Sequence, residues 1–207
     1  RPARKLMITG KGRCNVCNNC DIDTLIANVP ENGRFLYSAF SGFAPQDTMT
    51  FFESIGVSLK TERGNRVFPV SDKASDIVDA LVKTAKRGGA EIIQGTAKKI
   101  LTENGAVSGV LLENGEALPA DSVILATGGM SYPLTGSTGD GYKIARALGH
   151  TVTEIKPSLV ALNAHEGFCE RLAGLSLKNV ALSVFEEGRK KPVFSELGEI
   201  LFTHFGI

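Results

Sequence analysis

The pattern that most constrains the fold is an apolar strand that runs directly into glycine. Val123-Ile-Leu-Ala126 is apolar at every position, and Thr127-Gly128-Gly129 follows it at once. A strand that is apolar on both faces is typical of the centre of a parallel sheet, whose two faces are covered by helices. The run therefore predicts an α/β fold with a ligand-binding edge at the carboxyl end of this strand.

A second glycine motif follows closely and opens a helix. Gly136-Ser-Thr-Gly-Asp-Gly141 precedes a helical pattern over 141–149. Because glycine has no Cβ, its backbone can approach a phosphorylated cofactor, and the amides at a helix N-terminus attract anions. The alternatives are a tight strand-to-loop turn at Thr127 and a simple N-cap at Asp140.

A third glycine cluster carries cations. Ile8-Thr-Gly-Lys-Gly-Arg-Cys-Asn15 follows Arg4-Lys5 near the start of the chain. Such cations either neutralise a pyrophosphate or are surface charges. The three motifs together indicate a nucleotide cofactor, although a strand followed by G-x-G-x-x-G is absent from the 207 residues.

Hydrophobic periodicity predicts three helices in the first half of the chain. Their predicted bounds are 34–43, Pro45 to Gly56, and Ser71 or Asp72 to Gly88-Gly89. The third has a continuous apolar stripe, a polar residue to cap its first turn and two glycines to end it. It is the best-defined helix in the sequence.

The segment between the second and third predicted helices is short. Residues 57–61 are strand-like, and Arg63-Gly-Asn-Arg-Val-Phe-Pro69 is predicted to be a loop because glycine, asparagine and proline favour turns. Arg63 and Arg66 flank Gly64 in this segment. We interpret them as solvated cations, with contact to an anionic substrate as the alternative.

A change of period after the third helix predicts a small antiparallel meander. The strand candidates are Ile92-Ile93, 97–101 and 107–112. Asn104-Gly105 and Asn114-Gly115 are strong signals for hairpin turns. The meander would lie between the amphipathic helix and the Val123–Ala126 strand.

The sequence changes character again after Pro157. The strand candidates there are Leu159–Leu162, Val180–Phe185 and Ile200–Thr203, with a turn at Glu187-Gly188. We therefore predict a first domain over 1–157 and the beginning of a β-rich second domain over 158–207.

Composition and charge exclude several classes of protein. The net charge is +1, so neither a nucleic-acid nor a membrane surface is expected. No apolar run approaches the roughly 20 residues that span a bilayer, and the first residues do not form a signal peptide. These observations predict a cytoplasmic protein.

The cysteines raise the possibility of a metal site. Cys14, Cys17 and Cys20 have a C-x-x-C-x-x-C spacing, which suits iron–sulfur or zinc ligands. Such sites normally need four ligands, and Cys169 lies alone in a helical segment. We therefore predict reduced structural cysteines and no metal, with a small metal or iron–sulfur module kept as an alternative.

The sequence contains few candidates for catalytic side chains. No Ser-His-Asp or Cys-His arrangement fits the spacing, and the catalytic residues are unknown. Of the three histidines, only His204 merits a test as a proton donor, with packing in a core or turn as the alternative. This pattern is expected when a cofactor carries the reaction.

Five segments occur in a characteristic order along almost the whole chain. They are Arg4–Asn15, Gly64–Asp72, Val123–Gly129, Gly136–Gly141 and Gly198–Ile207. Together they resemble the BaiN/aminoacetone-oxidase-like family of FAD-binding oxidoreductases. The Ala-Thr-Gly-Gly and Thr-Gly-Asp-Gly segments are also similar to those of fumarate-reductase-like and glutathione-reductase-like flavoproteins.

The resemblance implies a Rossmann-type FAD domain interrupted by a β-barrel-like domain and a small helical domain. It also implies that an N-terminal βαβ unit with G-x-G-x-x-G precedes this chain, so we expect an internal fragment of a protein about twice as long. By the same resemblance, backbone near Ala97 would meet the adenine, and Gly139 to Gly141 would lie beside the isoalloxazine or ribityl chain. The cofactor-binding residues that this implies are Arg4, Lys5, Thr9, Gly10, Gly12, Arg13, Cys14, Asn15, Ala97, Ala126, Thr127, Gly128, Gly129, Gly139, Asp140 and Gly141.

The leading hypothesis is an FAD-dependent oxidoreductase that transfers a hydride between a small organic substrate and the flavin. The resemblance admits NAD(P)H or oxygen as the second redox partner, and it suggests small amines or steroid-like enones as substrates. The alternatives are the metal module and a non-catalytic nucleotide-binding module. Neither substrate identity nor oligomeric state follows from the sequence.

Overall fold

The protein was analysed as a computed structural model, which describes residues 2–157 and 160–207. The chain divides into two compact units, Arg1–Val152 and Thr153–Ile207. All three glycine motifs belong to the first unit. The domain bounds at 1–157 and 158–207 stay a prediction.

Helices and two small sheets make up the first unit. Its helices are α1 (Ile22–Ala27), α2 (Tyr37–Gly42), α3 (Pro45–Ser54), α4 (Ala74–Arg87) and α5 (Asp140–Ala147). Its strands are β1 (Cys17–Asn18), β2 (Leu59–Glu62), β3 (Arg66–Pro69), β4 (Ala97–Glu103), β5 (Ala106–Leu112) and β6 (Ala117–Pro119). A 3₁₀ turn, Gly33–Leu36, precedes α2, so the helix predicted over 34–43 is α-helical only in its second half.

The first sheet has the order β1-β3-β2, with antiparallel pairing throughout. Its central strand, β3, occupies part of the segment predicted to be a loop, so that prediction is wrong for Arg66–Pro69. Val67 and Phe68 are 0% and 2% exposed. Two apolar residues next to turn formers are enough for a strand when neighbours pair with them on both sides. The actual turn is limited to Arg63–Asn65, where Gly64 has φ +74°.

Helix α4 closes the core beside this sheet. Ala74 and Ile77 are buried and cluster with Cys14, Phe52 and Val57. The apolar stripe and the stop at Gly88 are as predicted. The predicted cap is wrong, because Lys73 is the N-cap residue and has no side-chain capping bond.

The second sheet is the predicted meander, with the order β4-β5-β6. Asn104-Gly105 and Asn114-Gly115 lie between its strands, as predicted. The Ile92-Ile93 strand is wrong, because those residues carry no strand and the third strand is β6. A Cβ on Gly109 in β5 would collide with the Leu118 carbonyl oxygen, so glycine permits the close approach of β6.

The predicted central strand Val123–Ala126 is not formed. These residues carry no strand, and Ile124 is 93% exposed. An apolar run specifies burial on both faces, but a strand also needs a neighbour for its backbone hydrogen bonds. Among residues 2–157 and 160–207, no strand ladder includes this run.

The second unit is built on a hairpin. Helix α6 (Phe168–Arg171) precedes strands β7 (Ser176–Val184) and β8 (Phe194–Leu201), which pair antiparallel across a turn that contains Gly188. The predicted strand Val180–Phe185 lies in β7 up to Val184, and the predicted strand Ile200–Thr203 lies in β8 only up to Leu201. The predicted Leu159–Leu162 strand lies partly outside the described residues. No helix within 2–157 and 160–207 is long and apolar enough to cross a membrane.

Candidate cofactor-binding site

A cavity of about 370 Å³ brings together three segments of the first unit that are distant in sequence. It lies where β4 begins, where the 123–127 run ends and where α5 begins. Its lining residues are Gly95, Thr96, Ala97, Thr127, Gly136, Thr138, Asp140 and Ile144. A smaller cavity of about 290 Å³ shares Ala97 and Asp140 and is also lined by Lys98, Glu113 and Lys143.

Close packing at the start of α5 positions Thr127. A Cβ on Gly141 would collide with the Thr127 hydroxyl oxygen, so a larger residue here would displace that side chain. The amide of Gly139 donates to the Gly129 carbonyl at 3.2 Å. The two glycine motifs that the sequence analysis singled out are therefore in direct contact.

Helix α5 begins at a glycine that has no side chain to cap it. Gly139 is the N-cap residue, is buried and has φ +79°. A left-handed conformation of this kind costs glycine little. No side chain caps the first turn of α5, and its first residue, Asp140, lines the cavity.

Asp140 supplies the negative charge of the site. Its carboxylate accepts hydrogen bonds from the Thr138 hydroxyl and from Lys143 Nζ, the latter at 2.9 Å. The Thr138 bond, followed by the Lys143 bond, lowers the pKa of Asp140 below its usual value. Asp140 is therefore ionised at neutral pH and can accept further hydrogen bonds from a ligand hydroxyl. It is not the N-cap residue of α5, which was the alternative for this position.

The loop between the two glycine motifs contacts the start of the chain. Lys5 Nζ donates to the Ser131 carbonyl oxygen and lies 5.3 Å from the centre of the Tyr132 ring. Gly128 and Gly136 have positive φ values, +75° and +98°. Lys5 thus connects the N-terminal cluster to the loop that follows Gly129.

The remainder of the N-terminal cluster forms a separate turn, Thr9–Asn15, against the first sheet. The Cys14 amide donates to the Thr9 carbonyl at 3.0 Å, and Cys14 is only 2% exposed. A Cβ on Gly10 would approach the Phe68 ring to 2.8 Å. The turn packs on β3 and α4 and does not line the two cavities.

Arg13 in this turn is already paired. Its Nη1 lies 2.9 Å from Glu62 Oε1 and 3.2 Å from Asp72 Oδ1. Lys60 bridges the same two carboxylates, 2.7 Å from Asp72 and 3.4 Å from Glu62. The guanidinium carbon of Arg13 also lies 4.0 Å from the centre of the Phe68 ring.

The charges of this cluster shift one another's pKa values. The hydrogen bond from Arg13 lowers the pKa of Glu62, and the hydrogen bond from Lys60 lowers that of Asp72. The same bonds raise the pKa values of Arg13 and Lys60. All four groups are therefore charged at neutral pH, and their charges cancel.

The cysteines show no metal-binding arrangement. Within residues 2–157 and 160–207, no group of three His, Cys, Asp or Glu side chains could hold a metal ion. Burial raises the pKa values of the Cys14 and Cys17 thiols, which disfavours the thiolate that a metal requires. The cysteines are free thiols.

His204 lies in the second unit, in a tight turn. The Thr203 amide donates to the Gly206 carbonyl at 2.8 Å, and the Gly206 amide donates to the Thr203 hydroxyl at 3.1 Å. The imidazole is exposed and contacts the Phe205 ring edge-on at 4.9 Å. The turn interpretation of His204 therefore holds, and the turn presents the ring to solvent.

The structure brings some of the predicted site residues together and separates others. Ala97, Thr127 and Asp140 line the main cavity, and Gly128, Gly129, Gly139 and Gly141 adjoin it in the chain. The remaining predicted residues do not line it; they are Arg4, Lys5, Thr9, Gly10, Gly12, Arg13, Cys14, Asn15 and Ala126. The lining residues absent from the predicted set are Gly95, Thr96, Gly136, Thr138 and Ile144. Gly136 and Thr138 lay inside a recognised motif, whereas Gly95 and Ile144 gave no signal in the sequence.

The main cavity fits one part of an FAD molecule. About 370 Å³ is at the lower end of ligand-binding pockets, so it suits a single moiety and not the whole dinucleotide. The Asp140 carboxylate would repel a phosphate, but it would accept hydrogen bonds from sugar or ribityl hydroxyls. The donor set therefore fits a hydroxyl-rich part of FAD, beside a glycine backbone that allows close approach.

Similar proteins point in the same direction. The 3-dehydro-bile acid delta(4,6)-reductase of Clostridium scindens is 32% identical over 205 residues, which cover 99% of this chain and 48% of the relative. The ribosomal RNA dihydrouridine synthase of Escherichia coli is 29% identical over 208 residues, which cover 100% of this chain and 50% of the relative. The L-aspartate oxidase of Pyrococcus abyssi is 39% identical over 92 residues, 41% of this chain and 20% of the relative.

The chain spans about half the length of the first two of these relatives. Residues 1–204 match the HI0933-like protein Rossmann domain. This match covers all five segments on which the sequence resemblance was based, except the last residues of the fifth. The resemblance is therefore confirmed, and the chain belongs to the HI0933-like Rossmann-domain family of FAD-binding proteins.

Proposed function

We propose that the chain is part of an FAD-dependent oxidoreductase and that the cavity between β4 and α5 receives the hydroxyl-bearing part of FAD. One observation carries the proposal. One cavity is lined by three residues that the sequence predicts to be cofactor contacts, namely Ala97, Thr127 and Asp140. Thr127 and Asp140 lie 30 and 43 residues after Ala97 in the chain. Residues chosen at random from three segments would not meet in this way.

Each lining group has a defined part in this proposal. Thr96 and Ala97 line the cavity together with Asp140, whose carboxylate would accept hydrogen bonds from ligand hydroxyls. Lys143 and Thr138 fix the position and charge of that carboxylate. The bound FAD would supply the hydride chemistry at its N5 position.

We propose further that the substrate contains a carbon–carbon double bond conjugated to a carbonyl group. The two relatives that match almost the whole chain are named for a 3-dehydro-bile acid delta(4,6)-reductase and a ribosomal RNA dihydrouridine synthase. A 4,6-diene beside a 3-ketone and the C5=C6 bond of uracil beside its C4 carbonyl are both bonds of this kind. Such a bond accepts a hydride at its β carbon because the carbonyl stabilises the negative charge that develops.

The reaction also requires a proton at the α carbon. Water or an acidic side chain of the full-length protein would supply this proton.

The spectrum of the full-length protein tests the cofactor. We expect a yellow protein that releases FAD on denaturation and is bleached by NADH or NADPH under anaerobic conditions. A colourless protein that does not bind added FAD would refute the proposal. A stoichiometric metal ion that is lost in Cys17→Ser would favour the metal module, and tight FAD binding without redox turnover would favour the non-catalytic nucleotide-binding module.

The substrate class is tested by reoxidation of the reduced flavin. Under anaerobic conditions, a steroid 4-en-3-one, cyclohexenone and a uridine-containing RNA oligonucleotide are compared with their saturated analogues. Reoxidation by the unsaturated compounds but not by their saturated analogues supports the proposal. Reoxidation by none of them, together with reduction of the oxidised flavin by an amine or reoxidation only when oxygen is admitted, contradicts it. The RNA arm also tests the prediction that no nucleic acid is a partner.

A further inference from the structure

The Thr9–Asn15 turn has an unusual backbone that its surroundings must maintain. Gly10, Lys11, Gly12 and Cys14 all have φ in the left-handed region, at +55°, +59°, +85° and +63°. Glycine adopts such values freely, but for Lys11 and Cys14 they are unfavourable. A strained conformation persists only where neighbouring contacts over-determine it.

Arg13 lies between these strained positions and connects the turn to three parts of the framework. Its Nη1 bonds Glu62 at the end of β2 and Asp72 in the connection between β3 and α4. Its guanidinium lies on the ring of Phe68 in β3, which is 2% exposed. Cys14, the next residue, is buried in the core beside Ala74 and Ile77 of α4.

The charge of the cluster leaves little attraction for a phosphate. Arg13 and Lys60 contribute two positive charges, and Glu62 and Asp72 contribute two negative ones within 3.4 Å. A phosphate that approached Arg13 would also meet two carboxylates, which offset the attraction. A cationic phosphate site normally has the opposite arrangement, with its donors unopposed.

From this geometry we propose that Arg13 is a positioning residue that holds the Gly10–Cys14 turn in the conformation needed for the cofactor, instead of a ligand of the cofactor's phosphates. The inference rests on the proposed function for its cofactor. It assigns Arg13 a role different from the direct contact that the sequence predicted. Glu62, Asp72 and Phe68 share this role, because Arg13 acts on the turn through them.

Removal of the carboxylates separates the two roles. We call the contacts of Arg13 with Glu62, Asp72 and Phe68 the clamp. Arg13→Gln removes the clamp and also any phosphate contact. The double variant Glu62→Gln/Asp72→Asn removes the two ion pairs of the clamp and leaves Arg13 charged. If Arg13 is a clamp, both changes loosen the turn and weaken FAD binding. If Arg13 binds a phosphate, the double variant binds FAD as well as the wild type or more tightly.

Two measurements on the full-length protein report the outcome. The first is the rate at which iodoacetamide labels Cys14, located by mass spectrometry, because this buried thiol reacts only when the turn opens. The second is the FAD dissociation constant of the apoprotein from flavin fluorescence. We expect both variants to accelerate Cys14 labelling and to raise the dissociation constant by about three- to tenfold, since charged hydrogen bonds are lost at a partly exposed site.

Arg13→Lys and a distant control sharpen the test. Lysine supplies a positive charge, but it cannot stack on Phe68 or form the forked hydrogen bonds of arginine. Arg13→Lys should therefore bind FAD as weakly as Arg13→Gln if Arg13 positions the turn, and nearly as tightly as the wild type if Arg13 attracts a phosphate. Arg87→Gln, at the exposed end of α4, controls for the loss of one positive charge. If the double variant does not fold by circular dichroism, Phe68→Leu removes the ring below the guanidinium and is expected to accelerate Cys14 labelling in the same way.

The results that overturn the proposal are distinct from failure of the proposed function. The positioning role of Arg13 is refuted if the rate of Cys14 labelling is unchanged in both the double variant and Phe68→Leu. It is also refuted if the double variant binds FAD more tightly than the wild type. A wild type that binds no FAD would refute the proposed function instead. The labelling comparison would still test the clamp in that case, because it needs no cofactor.

Discussion

Phe68→Ala tests the strand assignment that the sequence missed. Phe68 is 2% exposed in the central strand of the first sheet. Burying a phenylalanine contributes about 1.5–3 kcal/mol by transfer alone, and the cavity that alanine leaves raises the total cost to about 3–5 kcal/mol. This is a large share of the roughly 5–15 kcal/mol that stabilises a typical domain. A loop residue at this position would cost far less.

Phe35→Ala is the matched control, because Phe35 is 86% exposed. Its free energy of unfolding should change by no more than about 0.5 kcal/mol. Urea unfolding followed by circular dichroism gives both values, provided that the slopes agree among the variants. Equal costs for the two variants would show that residues 66–69 do not form a buried strand and would refute the assignment.

Three further predictions follow from close contacts and charges. Gly109→Ala should destabilise the protein by about 1–3 kcal/mol in thermal or urea unfolding. The added Cβ would collide with the Leu118 carbonyl of β6, which is backbone and cannot rotate away. The pKa values of Glu62 and Asp72 are lowered on folding, so their stabilisation is complete above their ordinary values of 4.5 and 3.8 and is lost as the pH falls through the lower folded values. The melting temperature of the wild type should therefore fall more steeply below about pH 4.5 than that of Glu62→Gln/Asp72→Asn, and parallel curves would contradict the ion-pair geometry. Asp140→Asn should raise the FAD dissociation constant about tenfold in a fluorescence titration, while the exposed Asp121→Asn should leave it unchanged.

The parts of the fold that the sequence predicted well depend on local signals. Each of these features is specified by residues that lie within about four positions of one another in the sequence. They are the apolar stripe and glycine stop of α4, the two Asn-Gly turns of the meander and the start of α5. Three predicted cofactor contacts, Ala97, Thr127 and Asp140, also line one cavity. Glycine motifs are readable because close backbone approach has few other solutions.

The parts that could not be predicted depend on partners far along the chain. Strand β3 forms because Val67 pairs with Thr61 on one side and Cys17 on the other, and the second partner is 50 residues away in the sequence. The segment Arg63–Pro69, with its glycine, asparagine and proline, favours a loop by composition. The same limit explains why the sequence predicts a helix cap at Asp72, since its partners Lys60 and Arg13 lie 12 and 59 residues away.

The Arg13 cluster and the cavity together suggest how the site is divided. The cavity side has an ionised carboxylate, a helix start without a capping side chain and the exposed glycines Gly95 and Gly136, which suit direct contact with a polar ligand. The Thr9–Asn15 side has a buried thiol, a strained backbone and a balanced charge cluster, which suit a preformed shape that presents backbone to the ligand. A cation beside glycine in a sequence is therefore ambiguous, because the same residues can bind an anion or hold the turn. The distinction depends on whether carboxylates from distant segments meet the cation, and at Arg13 two of them do.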